Sequence, residues 1–297
     1  MAEVTIKNSP NLESPVIPNL LTGETKIQFR CHKEIKCFNA CCSNIDITLT
    51  PYDIIRLKNR LDLDSSTFLK DFTIPFEFEK DGIAGVKLMP VESGTACRFM
   101  VDEGCSVYED RPTACRYYPV GLVSMRKQDE YTDTSSYARV EEDHCLGHQE
   151  ERQLTINEYR QEQGVEEYDE YARGWRQLIL KKKSSGATIG KPTKTSRRLF
   201  FMTCYDIDRF RIFVASEGFQ NSFDVAEERM AKALTDDVEL MQFGFDLMKQ
   251  VLFGEESIGL KPGILDERIE KERQKEEARR QQVESCGNSA DREPVDL

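Results

Sequence analysis

The chain has 297 residues, with 41 Lys and Arg against 53 Asp and Glu, for a formal net charge of −12. That balance argues against sequence-independent binding to DNA or RNA, which depends on neutralising phosphates, and offers no attraction to anionic lipid. No run of about 18 apolar residues is present to span a membrane, and Met1 to Pro10 lacks the apolar stretch of a signal peptide, so a soluble, cytoplasmic protein without nucleic-acid or membrane partners is expected.

Residues 1–26 carry Pro and Asn without periodicity and read as a flexible N-terminal arm. A cysteine-rich domain is expected over 27–150. Within it, Thr50-Pro51-Tyr52-Asp53 has the form of a helix start, with Thr50 as cap and Pro51 in the first turn. Ile54, Leu57 and Leu61 then share one face. A second short helix is expected from Ser66 to Phe72. Ile74–Phe78 and Val86–Met89 flank Lys80-Asp81-Gly82 as a hairpin, and Asp102-Glu103-Gly104 turns between Cys97–Val101 and Cys105–Tyr108. One more hairpin is expected around Gln128-Asp129.

Residues 151–265 turn helical. Thr155-x-x-Glu158 is a capping box, and helix should follow to Lys183 with a break near Gly164. A basic stretch from Lys181 to Lys194 reads as a helix C-terminus and solvated loop. Asp206 is placed to cap a helix carrying Phe210 and Phe213. Asp236-x-x-Glu239 opens a longer one, with Leu240, Phe243, Leu247 and Val251 on its apolar face and Gly254 at its end. Residues 266–297 read as a charged helix and a disordered tail. The expected fold class is α+β: a small, metal-pinned, cysteine-rich domain followed by a mostly helical region able to meet a protein partner.

The cysteines carry the chemistry. Eight of the ten fall between positions 31 and 145: Cys31, Cys37, Cys41, Cys42, Cys97, Cys105, Cys115 and Cys145. In a secreted chain they would suggest a disulfide framework; in a reducing compartment such a cluster points to metal or redox chemistry. Thiolate-rich sets favour zinc or an iron–sulfur cluster, because Mg²⁺ and Ca²⁺ prefer oxygen. The isolated Cys204 and Cys286 read as small buried apolar residues. His32, His144 and His148 flank the cluster, either as ligands or as exposed polar residues in an acidic stretch. Arg111 and Arg116 read as cations near thiolates, or as salt-bridge partners of Glu109 and Asp110.

Cys37-x3-Cys41-Cys42, then Ile47-Thr48-Leu49-Thr50-Pro51-Tyr52-Asp53, then Cys97-Arg98-Phe99 resemble the YkgJ-type cysteine cluster family, a zinc- or iron-chelating domain family. The most specific stretch is C-x-x-Y-x-x-R-P-x-x-C-R-x-x-P, matched at every fixed position from Cys105 to Pro119. The likeness covers about residues 28–150. The family's usual opening is C-x2-C-x2-C-C, whereas Cys31 and Cys37 here are separated by five residues and Cys37 and Cys41 by three. The resemblance implies metal or iron–sulfur binding through the eight clustered cysteines. Flagellin lysine N-methylases share the cysteine pattern, which leaves a methyltransferase as one alternative, although no glycine-rich loop for S-adenosylmethionine is present. A metal chaperone or thiol redox factor is another.

Overall fold

The computed structural model describes residues 16–78, 82–126, 133–185 and 192–267, together with 269, 270, 273, 274, 277, 278 and 281. In chain order the first part comprises β1 (Val16–Leu21), β2 (Lys26–Gln28), β3 (Thr48–Leu49), α1 (Pro51–Arg60), α2 (Ser65–Phe72), β4 (Thr73–Phe78), β5 (Ile83–Leu88), β6 (Met100–Val101) and β7 (Gly104–Cys105). It continues through α3 (Thr113–Tyr117), β8 (Val120–Arg126), β9 (Asp133–Val140), β10 (Gln153–Thr155), α4 (Ile156–Glu162) and α5 (Val165–Ser184). The last part holds α6 (Lys194–Tyr205), α7 (Ile207–Ala215), α8 (Glu217–Ser222), β11 (Phe223–Asp224), α9 (Glu227–Thr235), α10 (Asp237–Phe253) and β12 (Gly259–Leu260). The fold is α+β, with small antiparallel sheets before a helical region.

The local signals act as expected. Thr50 and Asp53 form the capping box of α1, with Pro51 in its first turn, and Thr155 and Glu158 do the same for α4. Asp236 accepts from the Val238 and Glu239 N–H groups, and Gly254, at φ 69°, ends α10 in the left-handed region. β4 and β5 pair antiparallel from Thr73↔Leu88 to Phe78↔Ile83, and β8 pairs with β9 from Val120↔Arg139 to Arg126↔Asp133. The turn residues Lys80, Asp81, Gln128 and Asp129 lie outside the described residues, as do 1–15, Cys286 and the tail after 281.

The loose arm is corrected over part of its length. Val16–Leu21 forms β1, an edge strand in the order β1-β9-β8, and Lys26–Gln28 pairs with Gln153–Thr155. Pro18 has no N–H to give, which suits an edge position, and the register shifts between Ile17 and Leu21. Pairing across more than a hundred residues leaves no local mark.

Asp206 is a second correction. It precedes α7, but its carboxylate makes no cap bond there. It accepts instead from the hydroxyls of Ser65 (2.7 Å) and Ser66 (2.9 Å) at the start of α2. The Ser65 hydroxyl in turn receives the Asp208 N–H at 3.0 Å, and Asp208 accepts the Ser65 N–H at 2.7 Å. Each helix start thus satisfies the other's orphan donors.

Two apolar cores result. The larger joins Leu49, Ile54 and Leu57 with Phe68, Val86 and Leu88, and continues into Trp175, Phe200, Phe210, Phe243, Phe245 and Met248. The smaller gathers Ile27, Phe29, Tyr117, Val120, Tyr137, Leu154, Ile156 and Val165. Cys97 belongs to the first, with Cys42 and Cys105 packed on its edge; Cys145 packs on the second. Among the described residues no helix is long and apolar enough to cross a membrane.

Candidate metal centre

Backbone hydrogen bonds draw three distant segments together. The Arg30 N–H reaches the Gly147 carbonyl at 3.1 Å, and the Leu146 N–H donates to the Cys37 sulfur at 3.2 Å. Those contacts set Cys31 and Cys37 beside Cys145. Asn39 takes a left-handed conformation (φ 66°), which asparagine tolerates, and starts a 3-10 turn at Ala40–Cys42. Its side-chain amide donates to the Val101 carbonyl at 3.2 Å. Along the same line the Cys97 N–H meets the Cys42 carbonyl at 2.7 Å, and the Ile45 N–H meets the Thr95 carbonyl at 2.9 Å. The two cysteine blocks of the sequence therefore run side by side.

Cys105 enters on the β6–β7 hairpin, where Met100 pairs with Cys105. Cys115 rides on α3, whose start is fixed by Asp53. The buried Asp53 carboxylate accepts the Thr113 N–H (2.8 Å) and hydroxyl (2.7 Å) through one oxygen, and the Thr50 N–H (2.8 Å) through the other. Burial raises its pKa, against those hydrogen bonds, which lower it.

Arg116 is not a counter-ion. It lies buried with its guanidinium 4.1 Å from the Tyr168 ring centre. It donates to the carbonyls of Arg111 (3.1 Å), Gln163 (2.7 Å) and Glu109. Its work is to hold the loop before α3 against the α4–α5 turn. Arg111 donates to the Tyr108 carbonyl and the Gln163 side chain, although its charge also favours the Cys105 thiolate. The hydrogen bonds of both arginines go to carbonyl, amide and phenol oxygens. Nor do the histidines turn to sulfur: His32 bonds Glu34 at 2.9 Å, His144 lies 3.6 Å from Glu142, and His148 meets the Val140 carbonyl at 3.1 Å.

All nine described cysteines are free thiols. Partial burial, followed by the charges of Cys41, Cys37 and Cys145, pushes the thiol of the surface residue Cys31 up to about 11. Burial also raises Cys97, Cys105 and Cys115, and Cys115 further feels Cys97, Asp53, Cys105 and Cys41. Cys41 is lowered to about 7 by the hydrogen bond from Cys42, whose own thiol rises for the same reason. Their sulfurs stand 4.0 Å apart. Sulfurs sharing a tetrahedral ion at about 2.3 Å lie about 3.8 Å from each other, so this pair is spaced for one. Yet among the described residues no three or more His, Cys, Asp or Glu side chains are grouped so that they could hold one metal ion. The fold brings the thiols into one neighbourhood without fixing which of them share an ion. Cys204 lies apart, buried in the larger core.

Residues 30–173, just under half the chain, match the family model CxxCxxCC, described as "Putative zinc- or iron-chelating domain". Over that segment the chain is similar to the CxxCxxCC family. The match runs from Arg30 into α5, so it takes in all eight clustered cysteines and also Gln163 and Tyr168, which hold Arg116. A donor set made of thiols agrees in kind with a family that chelates zinc or iron, as zinc or as an iron–sulfur cluster. No curated protein and no solved structure matches the chain.

Proposed function

We propose that the chain binds zinc or an iron–sulfur cluster through thiolates drawn from Cys31, Cys37, Cys41, Cys42, Cys97, Cys105, Cys115 and Cys145. The observation that carries this reading is the meeting of three cysteine-bearing segments, 31–42, 97–115 and 145, with every thiol free. When bound, the ion or cluster supplies a positive centre that holds these segments together, or an electron if it is an iron–sulfur cluster. Metal analysis of protein purified without oxygen tests the reading, and the visible spectrum separates the two groups, because zinc is colourless. Preparations without stoichiometric zinc or iron would overturn it.

A second reading, transfer of the metal to another protein, is favoured by the exposure of Cys31 and Cys41. Exchange between thiols needs an accessible sulfur. It predicts metal that a chelator of moderate strength removes while the fold persists; loss of the fold with the metal argues for a structural site.

A further inference from the structure

A cavity of about 530 Å³ opens between the N-terminal cysteine segment and the β6–β7 hairpin, with Cys31 and Cys105 on its wall. Its size lies within the range of small-molecule sites, about 300–1,000 Å³. Phe29, Phe38, Tyr108 and Tyr159 give it aromatic walls. Gly104, at φ +133°, stands against Phe38, where an added Cβ would come 3.4 Å from the ring. A side chain there would be strained by its backbone conformation.

Tyr108 is the unusual residue. Its side is 54 % exposed, yet the Arg111 guanidinium lies 4.0 Å from its ring centre, and Arg111 itself is only 8 % exposed and tied to Gln163. An exposed ring held in place by a buried cation is a stacking platform. Arg30, Lys33 and Arg152 bring positive charge to the same cavity, against one acid, Glu103. Arg152 is paired with Glu162; among the described residues no ion pair holds Arg30 or Lys33. His32 on the same wall is met by Glu34 and Glu150, so Arg30 and Lys33 are the cations that face a ligand.

We infer that this cavity binds a small molecule combining a flat ring with an anionic group, the ring stacked at Tyr108 and the anion facing Arg30 and Lys33. The inference rests on the cavity and not on the metal.

The test is calorimetric titration of the full-length, metal-loaded chain with adenosine 5′-monophosphate and, separately, with 4-hydroxyphenylacetate. The two probes distinguish a phosphate from a carboxylate anion. Adenosine and inorganic phosphate serve as the separate halves. At least one ring-plus-anion probe should bind at one site per chain, more tightly than either half. Tyr108→Ala should weaken it roughly tenfold or more, the loss of one stacked ring. Lys33→Glu, a change at an exposed position, should weaken it and flatten its salt dependence. Both variants should keep the metal content of the parent, which separates this inference from the metal reading. Failure of both probes to bind, or binding indifferent to both substitutions, overturns it.

Discussion

Two stretches of this chain are ordered by different forces. Between residues 30 and 48 only Ile35 is buried, whereas α10 buries eight of its seventeen residues. Phe210, Phe243 and Phe245 lie on the apolar side of that division, each about 2 % exposed or less. Burial of this kind contributes about 1.5–3 kcal/mol for each large side chain. The cysteine stretch has turns, a few backbone hydrogen bonds and thiols instead, and a bound ion must supply what apolar area does not. The comparison teaches where each half is vulnerable: the helices to cavities, the cysteine segments to loss of metal.

The largest effect should come from the metal. Chelation should strip hydrogen-exchange protection from residues 31–47 and 97–115 and leave α6 and α10 protected, because ion binding of order ~10 kcal/mol is folding energy for the segments that hold it. Equal loss in both regions would erase the distinction. Within one protein, Cys115→Ser should deplete metal and loosen the same segments, while Cys204→Ser should keep full metal content and cost about 1–3 kcal/mol for a buried hydroxyl. Metal analysis beside thermal melts reads both; a Cys115→Ser protein with parental metal content removes α3 from the site.

Phe210→Ala attacks the other half. It should cost about 3–5 kcal/mol by denaturant titration, with the metal-to-protein ratio unchanged in the folded fraction. pH acts on the metal's affinity. Cys31, Cys97, Cys105 and Cys115 have raised pKa values, so at neutral pH they carry protons that a metal must displace. Apparent affinity should therefore rise with pH, by up to about tenfold per unit for each proton displaced between about pH 6 and pH 8. Competition with a chelator at several pH values measures the slope, and a flat profile would mean that the ligands are already ionised.

Local chemistry was readable from the chain, and partnership at a distance was not. The capping boxes at Thr50 and Thr155 and the Asp236 cap need only four consecutive positions, so their residue types announce them. The turn at Asp102-Glu103-Gly104 and the motif from Cys105 to Pro119 are equally compact. Asp206 looked like a cap because it precedes an apolar helix; Ser65 and Ser66, some 140 residues earlier, took its oxygens instead. Arg116 looked like a thiolate's counter-ion because a cysteine adjoins it, and nothing nearby pointed to Gln163. Nothing local names the partners of α6 and α9: α6 packs on α10, β5 and α7, and α9 on α10 and α7. The cavity beside Cys31 was equally hidden, since its walls come from four separate stretches.

Asp53 carries a consequence for the order in which the chain assembles. Its bond with Thr50 spans three residues, whereas its bonds with Thr113 span 60. Closing the first loop costs little entropy, and closing the second costs more, since the penalty grows with the logarithm of loop length. The start of α1 can therefore form early, and the arrival of α3 waits on a long-range contact of the type that slows folding. Asp53→Asn should then act chiefly on whichever of these two events the folding transition state already contains. A chevron analysis would assign it: a slower folding limb places the contacts of the Asp53 carboxylate before the barrier, and a faster unfolding limb places them after.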